Sequence, residues 1–127
     1  MTSECLSVVI PAYNEEATLA GVVQRVLSIP FLHEIVIVDD CSTDNTGTIA
    51  TKLALDPKVR TVRQEKNKGK TEALKTGFAL TTGDIVIVQD ADLEYDPGDI
   101  AEVIAPILSG QADVVYGSRF LVRRAAR

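Results

Sequence analysis

Glu34-Ile35-Val36-Ile37-Val38-Asp39-Asp40 is the stretch on which the fold turns. Four β-branched residues follow one another with no polar residue between them and stop at two acids. β-Branched side chains fit a pleated backbone, and the lack of polar alternation means that both faces of the strand are buried, as in a parallel sheet covered by helices on either side. The same signature recurs at Leu6 to Ile10, Ile85 to Gln89 and Val114 to Tyr116, whereas Val59 to Arg63 carries Arg60 and Arg63 and reads as an edge strand.

Helix-period stretches fill the intervals. Leu19, Val22, Val23, Val26 and Leu27 form one apolar stripe, which predicts a first helix capped at Asn14, with acids at Glu15 and Glu16, and running to about Ser28 before Pro30. A second helix is predicted over Thr46 to Leu55, ended by Asp56-Pro57, and a third from about Lys70 to Leu80, stopping near Gly83. A fourth begins at Asp96-Pro97, with Ile100, Val103, Ile104, Ile107 and Leu108 on one face and Pro106 bending it. The order βαβαβαβαβ predicts an α/β fold with a mostly parallel, doubly wound sheet and right-handed crossovers.

Composition narrows the function. The chain has 127 residues, with 13 Lys and Arg against 18 Asp and Glu, so its formal charge of −5 argues against nucleic acid as a partner. At 46% hydrophobic and 24% charged residues it is neither disordered nor collagen-like, and its length suits a single domain with one core. Apolar runs such as Val8-Val9-Ile10-Pro11-Ala12 are far shorter than a membrane span, and Met1-Thr2-Ser3-Glu4 lacks the basic start of a secretory leader; both read as cytoplasmic. Cys5 and Cys41 have no CxxC spacing and His33 is the sole histidine, so two reduced thiols are expected instead of a zinc site. Arg119, Arg123, Arg124 and Arg127 crowd the last nine residues and read as a solvated, fraying end of a chain cut before its natural close.

In open α/β sheets ligands bind beyond the carboxyl ends of the strands, and there this sequence is acidic. Asp39 and Asp40 follow the second strand; Asp90, Asp92 and Glu94 follow the fourth. Alternate residues of an extended chain point the same way, so Asp90 and Asp92 present two carboxylates to one site and Glu94 extends the row. Each acid taken singly is equally a helix cap or a solvated loop residue. Five carboxylates converging on one edge would repel each other and any phosphate, which makes a divalent cation, Mg²⁺ or Mn²⁺, the simplest compensating partner. Gly69-Lys70-Thr71 lacks the glycine at position 64 that a P-loop requires, and Pro11-Ala12-Tyr13-Asn14-Glu15 has no glycine for a dinucleotide fingerprint. A receiver-like signalling domain with a phosphorylatable aspartate shares the βα alternation. It would place its acid pair after the first strand and a lysine after the fifth, where Gly117-Ser118-Arg119 stands.

Read together, several motifs resemble the family-2 glycosyltransferases, in the branch that acts on polyprenyl phosphates and includes dolichyl-phosphate mannose synthases. They are Ser7-Val8-Val9-Ile10-Pro11-Ala12-Tyr13-Asn14-Glu15-Glu16, Glu34 through Asp44, Asn67-Lys68-Gly69-Lys70, Gly83 through Glu94 with its Asp-x-Asp, and Tyr116-Gly117-Ser118-Arg119-Phe120. They cover nearly the whole chain in the family's order. The resemblance implies a GT-A fold, of which residues 1–127 form the nucleotide-sugar-binding part as one domain. It implies inverting, metal-dependent transfer of a sugar from a GDP- or UDP-linked donor to an acceptor such as a polyprenyl phosphate. By position, Pro11, Tyr13 and Glu15 would hold the nucleoside, Val38 and Asp40 would lie beside the base, and Asp90 with Ala91 would meet the ribose or sugar. Asp92 would bind the metal with Glu94 as a second ligand, and Arg119 would meet the diphosphate or sugar. Tyr13 reads equally as packing, Asn14 as a helix cap, and Lys68 and Lys70 as phosphate contacts or a solvated helix start. Cys41 stands where the family more often has Gly or Ser, and Thr71-Glu72 departs from a Gly-containing stretch. The general base and acceptor site fall beyond Arg127 in this family, so no catalytic residue is assigned, and little or no transfer by this chain alone is expected. The uncovered apolar surface of a truncated chain would favour self-association, and the full-length protein would lie against the inner membrane face.

Overall fold

The computed structural model describes residues 5–91, 114–116 and 121–124. In chain order these form β1 (Leu6–Ala12), α1 (Leu19–Leu27), β2 (Leu32–Asp39), α2 (Thr46–Leu53), β3 (Val59–Arg63), α3 (Lys70–Leu80), β4 (Ile85–Val88), β5 (Val114–Tyr116) and β6 (Leu121–Arg124). The sheet order is β3-β2-β1-β4-β6-β5. β1 pairs in parallel with β2 and β4, and β2 with β3, so the Arg-bearing strand is an edge, as its composition predicts. This order differs from the 2-1-3-4-5 order of receiver-like sheets and excludes that alternative.

The uninterrupted Val/Ile runs follow from burial on both faces. Val8, Ile10, Ile35, Ile37, Ile85 and Ile87 pack with Leu19, Val22, Val23 and Val26 of α1 and Ala50 of α2. The alternate residues Val9, Val36, Val38 and Val86 pack with Ala73 of α3 on the opposite face. α3 approaches so closely that a Cβ on Gly77 would stand 2.4 Å from Val9 Cγ1. At the amino ends of the strands, the buried Glu34 carboxylate accepts hydrogen bonds from Ser7 Oγ and from the backbone N–H and hydroxyl of Thr82.

Three expectations are corrected. α1 starts at Leu19 behind Thr18, and Asn14 does not cap it: Asn14 has a φ of 52° and bonds to the loop after β2 instead. α2 ends at Leu53, because Asp56 Oδ1 accepts the Lys58 N–H in a turn that leads straight into β3. Leu121–Arg124, read as a fraying basic end, is a strand whose backbone pairs antiparallel with β4 and β5. β5 therefore runs in the same direction as β1 to β4, but with a reversed strand interposed. The predicted fourth helix from Asp96 lies outside the described residues.

Candidate functional site

The chain builds outward from β1 to β3, then returns through α3 to add β4 on the other side of β1. That reversal is a topological switch point, where the carboxyl ends of neighbouring strands feed loops in opposite directions and leave a crevice. A cleft of about 240 Å³ opens there. The end of β1 contributes Pro11, Ala12, Tyr13 and Glu15; the end of β2 contributes Asp40; α3 contributes Lys70 and Ala73; and the end of β4 contributes Asp90 and Ala91.

Asp40 is buried, and its carboxylate is already employed. Oδ1 accepts the Lys68 N–H and Oδ2 the Gly69 N–H, each at 2.9 Å, while its own N–H donates to Ala12 O. Gly69 has a φ of 90°, a conformation that side-chain-bearing residues rarely adopt, so the turn that delivers α3 to the cleft depends on glycine. Each carboxylate oxygen keeps a second lone pair for a further donor. Across the cleft, Lys70 Nζ donates to Asp90 Oδ1 at 2.6 Å. Tyr13 is 43% exposed and lines the opening, so it is not core packing.

Two expected members are elsewhere. Val38 is fully buried beneath α3, its Cγ2 3.2 Å from where a Gly77 Cβ would stand, and its side chain does not reach the cleft. Asp39 points to the other face of the sheet, where Oδ2 accepts from Arg63 Nη1 at 2.8 Å and Oδ1 from the Ser42 N–H at 3.0 Å. The period-two rule explains Asp39, since neighbours on an extended chain face opposite ways, whereas Val38 shares the face of Asp40 but sits one step back along β2, covered by α3. The described acids consequently do not converge as a repelling group: Asp39 has Arg63, Asp40 has two N–H donors, and Asp90 has Lys70. Asp92, Glu94 and Arg119 lie outside the described residues. Among the described residues no three His, Cys, Asp or Glu side chains are grouped to hold a metal, and none of the three acids above is left without a compensating partner.

A set of residues not singled out as a group ties the wall of the cleft together. Asn14 Oδ1 accepts the Thr43 N–H at 2.8 Å, the Asn14 N–H donates to Ser42 Oγ at 2.9 Å, and the Glu15 N–H donates to Thr46 Oγ1 at 2.8 Å. Asp44 receives the hydroxyl and N–H of Thr46 and the N–H of Glu16. Desolvation pushes the Asp44 carboxyl upward, but these donors outweigh it and hold its pKa below the usual carboxylate range. The signal in the sequence is the density of short polar side chains in Ser42-Thr43-Asp44-Asn45-Thr46, all residue types that bond to nearby backbone. Cys41 beside them has a φ of 61°, which gives a physical reason why a small residue suits that position. Both cysteines are free thiols, as expected.

The likeness to known proteins is broad. A dolichol-phosphate mannosyltransferase of Pyrococcus furiosus is 37% identical over 118 residues, covering 91% of this chain and 33% of that protein. An undecaprenyl-phosphate 4-deoxy-4-formamido-L-arabinose transferase of Pectobacterium carotovorum is 38% identical over 116 residues, covering 87% of this chain and 35% of its own. The chain thus spans about a third of the length of these curated relatives. Among solved structures, glucosyl-3-phosphoglycerate synthase from Mycobacterium tuberculosis, in complex with Mn²⁺, uridine diphosphate and phosphoglyceric acid, superposes with a TM-score of 0.71 at 32% identity, over 84% of this chain and 39% of that one. Among the described residues no helix is long and apolar enough to cross a membrane. The model of glycosyl transferase family 2 matches residues 7–126, and the chain belongs to that family.

Proposed function

We propose that this chain is the donor-binding part of an enzyme that transfers a sugar from a nucleoside-diphosphate sugar to an acceptor such as a polyprenyl phosphate. The observation that carries the reading is the cleft at the switch point, lined by Tyr13 and Glu15 after β1, the buried Asp40 after β2, and the ion pair of Lys70 with Asp90. Relatives that act on polyprenyl phosphates and a structural neighbour that holds uridine diphosphate support it.

The residues supply the parts of such a site. Pro11, Tyr13 and Glu15 hold the nucleoside, and Asp40 accepts a base N–H on the lone pairs its loop contacts leave open. Asp90, with Ala91 beside it, contacts the ribose or sugar hydroxyls. Binding of the donor draws Lys70 from Asp90 toward the diphosphate, exchanging one charge partner for another. Arg119 would meet the same diphosphate, since a guanidinium matches phosphate oxygens bidentately. Asp92 and Glu94 would ligate Mg²⁺ or Mn²⁺, which when bound offsets the charge of the leaving diphosphate. The acceptor oxygen attacks the anomeric carbon from the face opposite the diphosphate; the new C–O bond forms as the bond to the diphosphate oxygen breaks and takes the electron pair, inverting the centre. The group that deprotonates a hydroxyl acceptor is not assigned to any residue of this chain.

The test is calorimetric titration of UDP, GDP and their sugar conjugates, with and without Mn²⁺, against the wild type and Asp92→Ala. Metal-dependent binding of one nucleotide, lost in the variant, is expected and names the base. Equal binding by the variant would refute the metal assignment, and no binding of either nucleotide would refute donor binding by this chain.

A further inference from the structure

Asn14 stands between two cleft-lining residues and is engaged by neither the cleft nor a helix. Its backbone sits in the left-handed region at a φ of 52°, which asparagine tolerates better than most residues. Its Oδ1 accepts three donors from the loop after β2: the Thr43 N–H at 2.8 Å, the Thr43 hydroxyl at 3.3 Å and the Asp44 N–H at 3.4 Å. Its own N–H is taken by Ser42 Oγ at 2.9 Å, and the next N–H, of Glu15, by Thr46 Oγ1 at 2.8 Å. The Asn45 N–H in turn donates to Glu16 Oε2 at 3.3 Å. The two loops are therefore one hydrogen-bonded body, with Asn14 supplying both the turn and the central acceptor. Tyr13 is 43% exposed and belongs to neither core cluster, so the path of the backbone on either side sets where its side chain is presented.

We propose that Asn14 is the positioning residue of this cleft: it locks the loop after β1 to the loop after β2, and so aims Tyr13 and Glu15 at the nucleoside without touching it. The inference rests on the nucleotide reading above for its functional part. Among the described residues the hydrogen bonds of the side chain all go to Oδ1, and this decides which variants are informative. Asn14→Asp keeps the oxygen and the tolerance for positive φ. Asn14→Gly keeps the backbone conformation and removes the oxygen. Asn14→Ala removes the oxygen and adds backbone strain.

UDP and GDP are titrated with Mn²⁺ against wild type and the three variants, with thermal midpoints of the ligand-free chains and amide hydrogen exchange measured alongside. Asn14→Gly is expected to weaken nucleotide binding about tenfold, the loss of one good and two long hydrogen bonds, while the midpoint falls by no more than about 5 °C. Asn14→Asp restores most of the affinity, and Asn14→Ala is the weakest. Wild-type affinity in Asn14→Gly, or equal loss in Asn14→Asp and Asn14→Gly, overturns the proposal; so does a loss explained by a midpoint low enough to unfold the chain during the assay. Should wild type bind neither nucleotide, the nucleotide reading fails separately, and exchange decides the positioning part. Faster exchange at the Thr43 and Asp44 amides in Asn14→Gly but not in Asn14→Asp upholds the lock, and unchanged exchange overturns it.

Discussion

Replacing Glu34 by Gln tests whether a buried anion, and not merely a polar group of that shape, joins the amino ends of β1, β2 and β4. Glu34 is 6% exposed. Its Oε2 accepts the Ser7 hydroxyl at 2.7 Å, the Thr82 N–H at 2.6 Å and the Thr82 hydroxyl at 3.1 Å, while Oε1 lies 3.5 Å from Arg60 Nη1. Ser7 Oγ in turn accepts the Gly83 N–H at 2.8 Å, so the network spans three strands. A glutamine can turn its oxygen toward Ser7 and Thr82 and meet the same donors, but its amide then faces Arg60. Hydrogen bonds to a charged acceptor contribute about 1 kcal/mol more than neutral ones, partly offset by the smaller desolvation of the amide, so the variant should be about 1–2 kcal/mol less stable at pH 7. Burial raises the Glu34 pKa, yet the donors from Ser7 and Thr82, with a smaller contribution from His33, outweigh it and leave the pKa below its ordinary value. A carboxyl depressed in the folded state contributes stability that is complete above the unfolded pKa, about 4.3, and is lost as the pH falls through the folded one. Urea unfolding of both chains from pH 7 to pH 3 should therefore show a constant gap down to about pH 5 that closes below it. A gap of the same size at pH 3 as at pH 7, or none at pH 7, would refute the role of the anion.

Two further substitutions probe the packing and the cleft. Gly77→Ala should gain about 1 kcal/mol of helix propensity and lose about 1–3 kcal/mol to overpacking against the short, stiff side chains of Val9 and Val38, so its unfolding midpoint in urea should fall; a rise would mean that α3 can lift from the sheet. Asp40→Asn sets an amide donor against one of the two N–H groups at residues 68 and 69, which should cost about 1–3 kcal/mol and weaken nucleotide binding at least tenfold, read by urea unfolding and by titration. Unaltered stability would show that the loop holds without its anchor.

The readings that succeeded share one property: each depends on neighbours in the chain. α3 spans Lys70–Leu80 as its pattern predicts, and the edge character of β3 follows from Arg60 and Arg63. The failures involve groups that find their partners far away. Asn14 has the chemistry of a helix cap, and nothing local distinguishes capping from accepting the N–H of Thr43, 29 residues on. Leu121-Val122-Arg123-Arg124 looks like a basic tail until β4 and β5 supply its hydrogen bonds. Asp39 is different, because the alternation already applied to Asp90 and Asp92 would have separated it from Asp40 without any structure.

The Val/Ile runs, their spacing and the acids that end them were enough to specify a parallel α/β sheet with its chemistry at the carboxyl edge, since burial on both faces and chain reversal between strands are written in local order. The family motifs added which glycosyltransferase parts to expect. Tertiary structure alone decided which acids were already neutralised and which two loops became one wall. Those outcomes depend on the pairing of distant groups, such as Lys70 with Asp90, Arg63 with Asp39 and Asn14 with Thr43. Hydrogen bonds and ion pairs of that kind are selected by proximity after the core has packed, and proximity is a property of the folded chain.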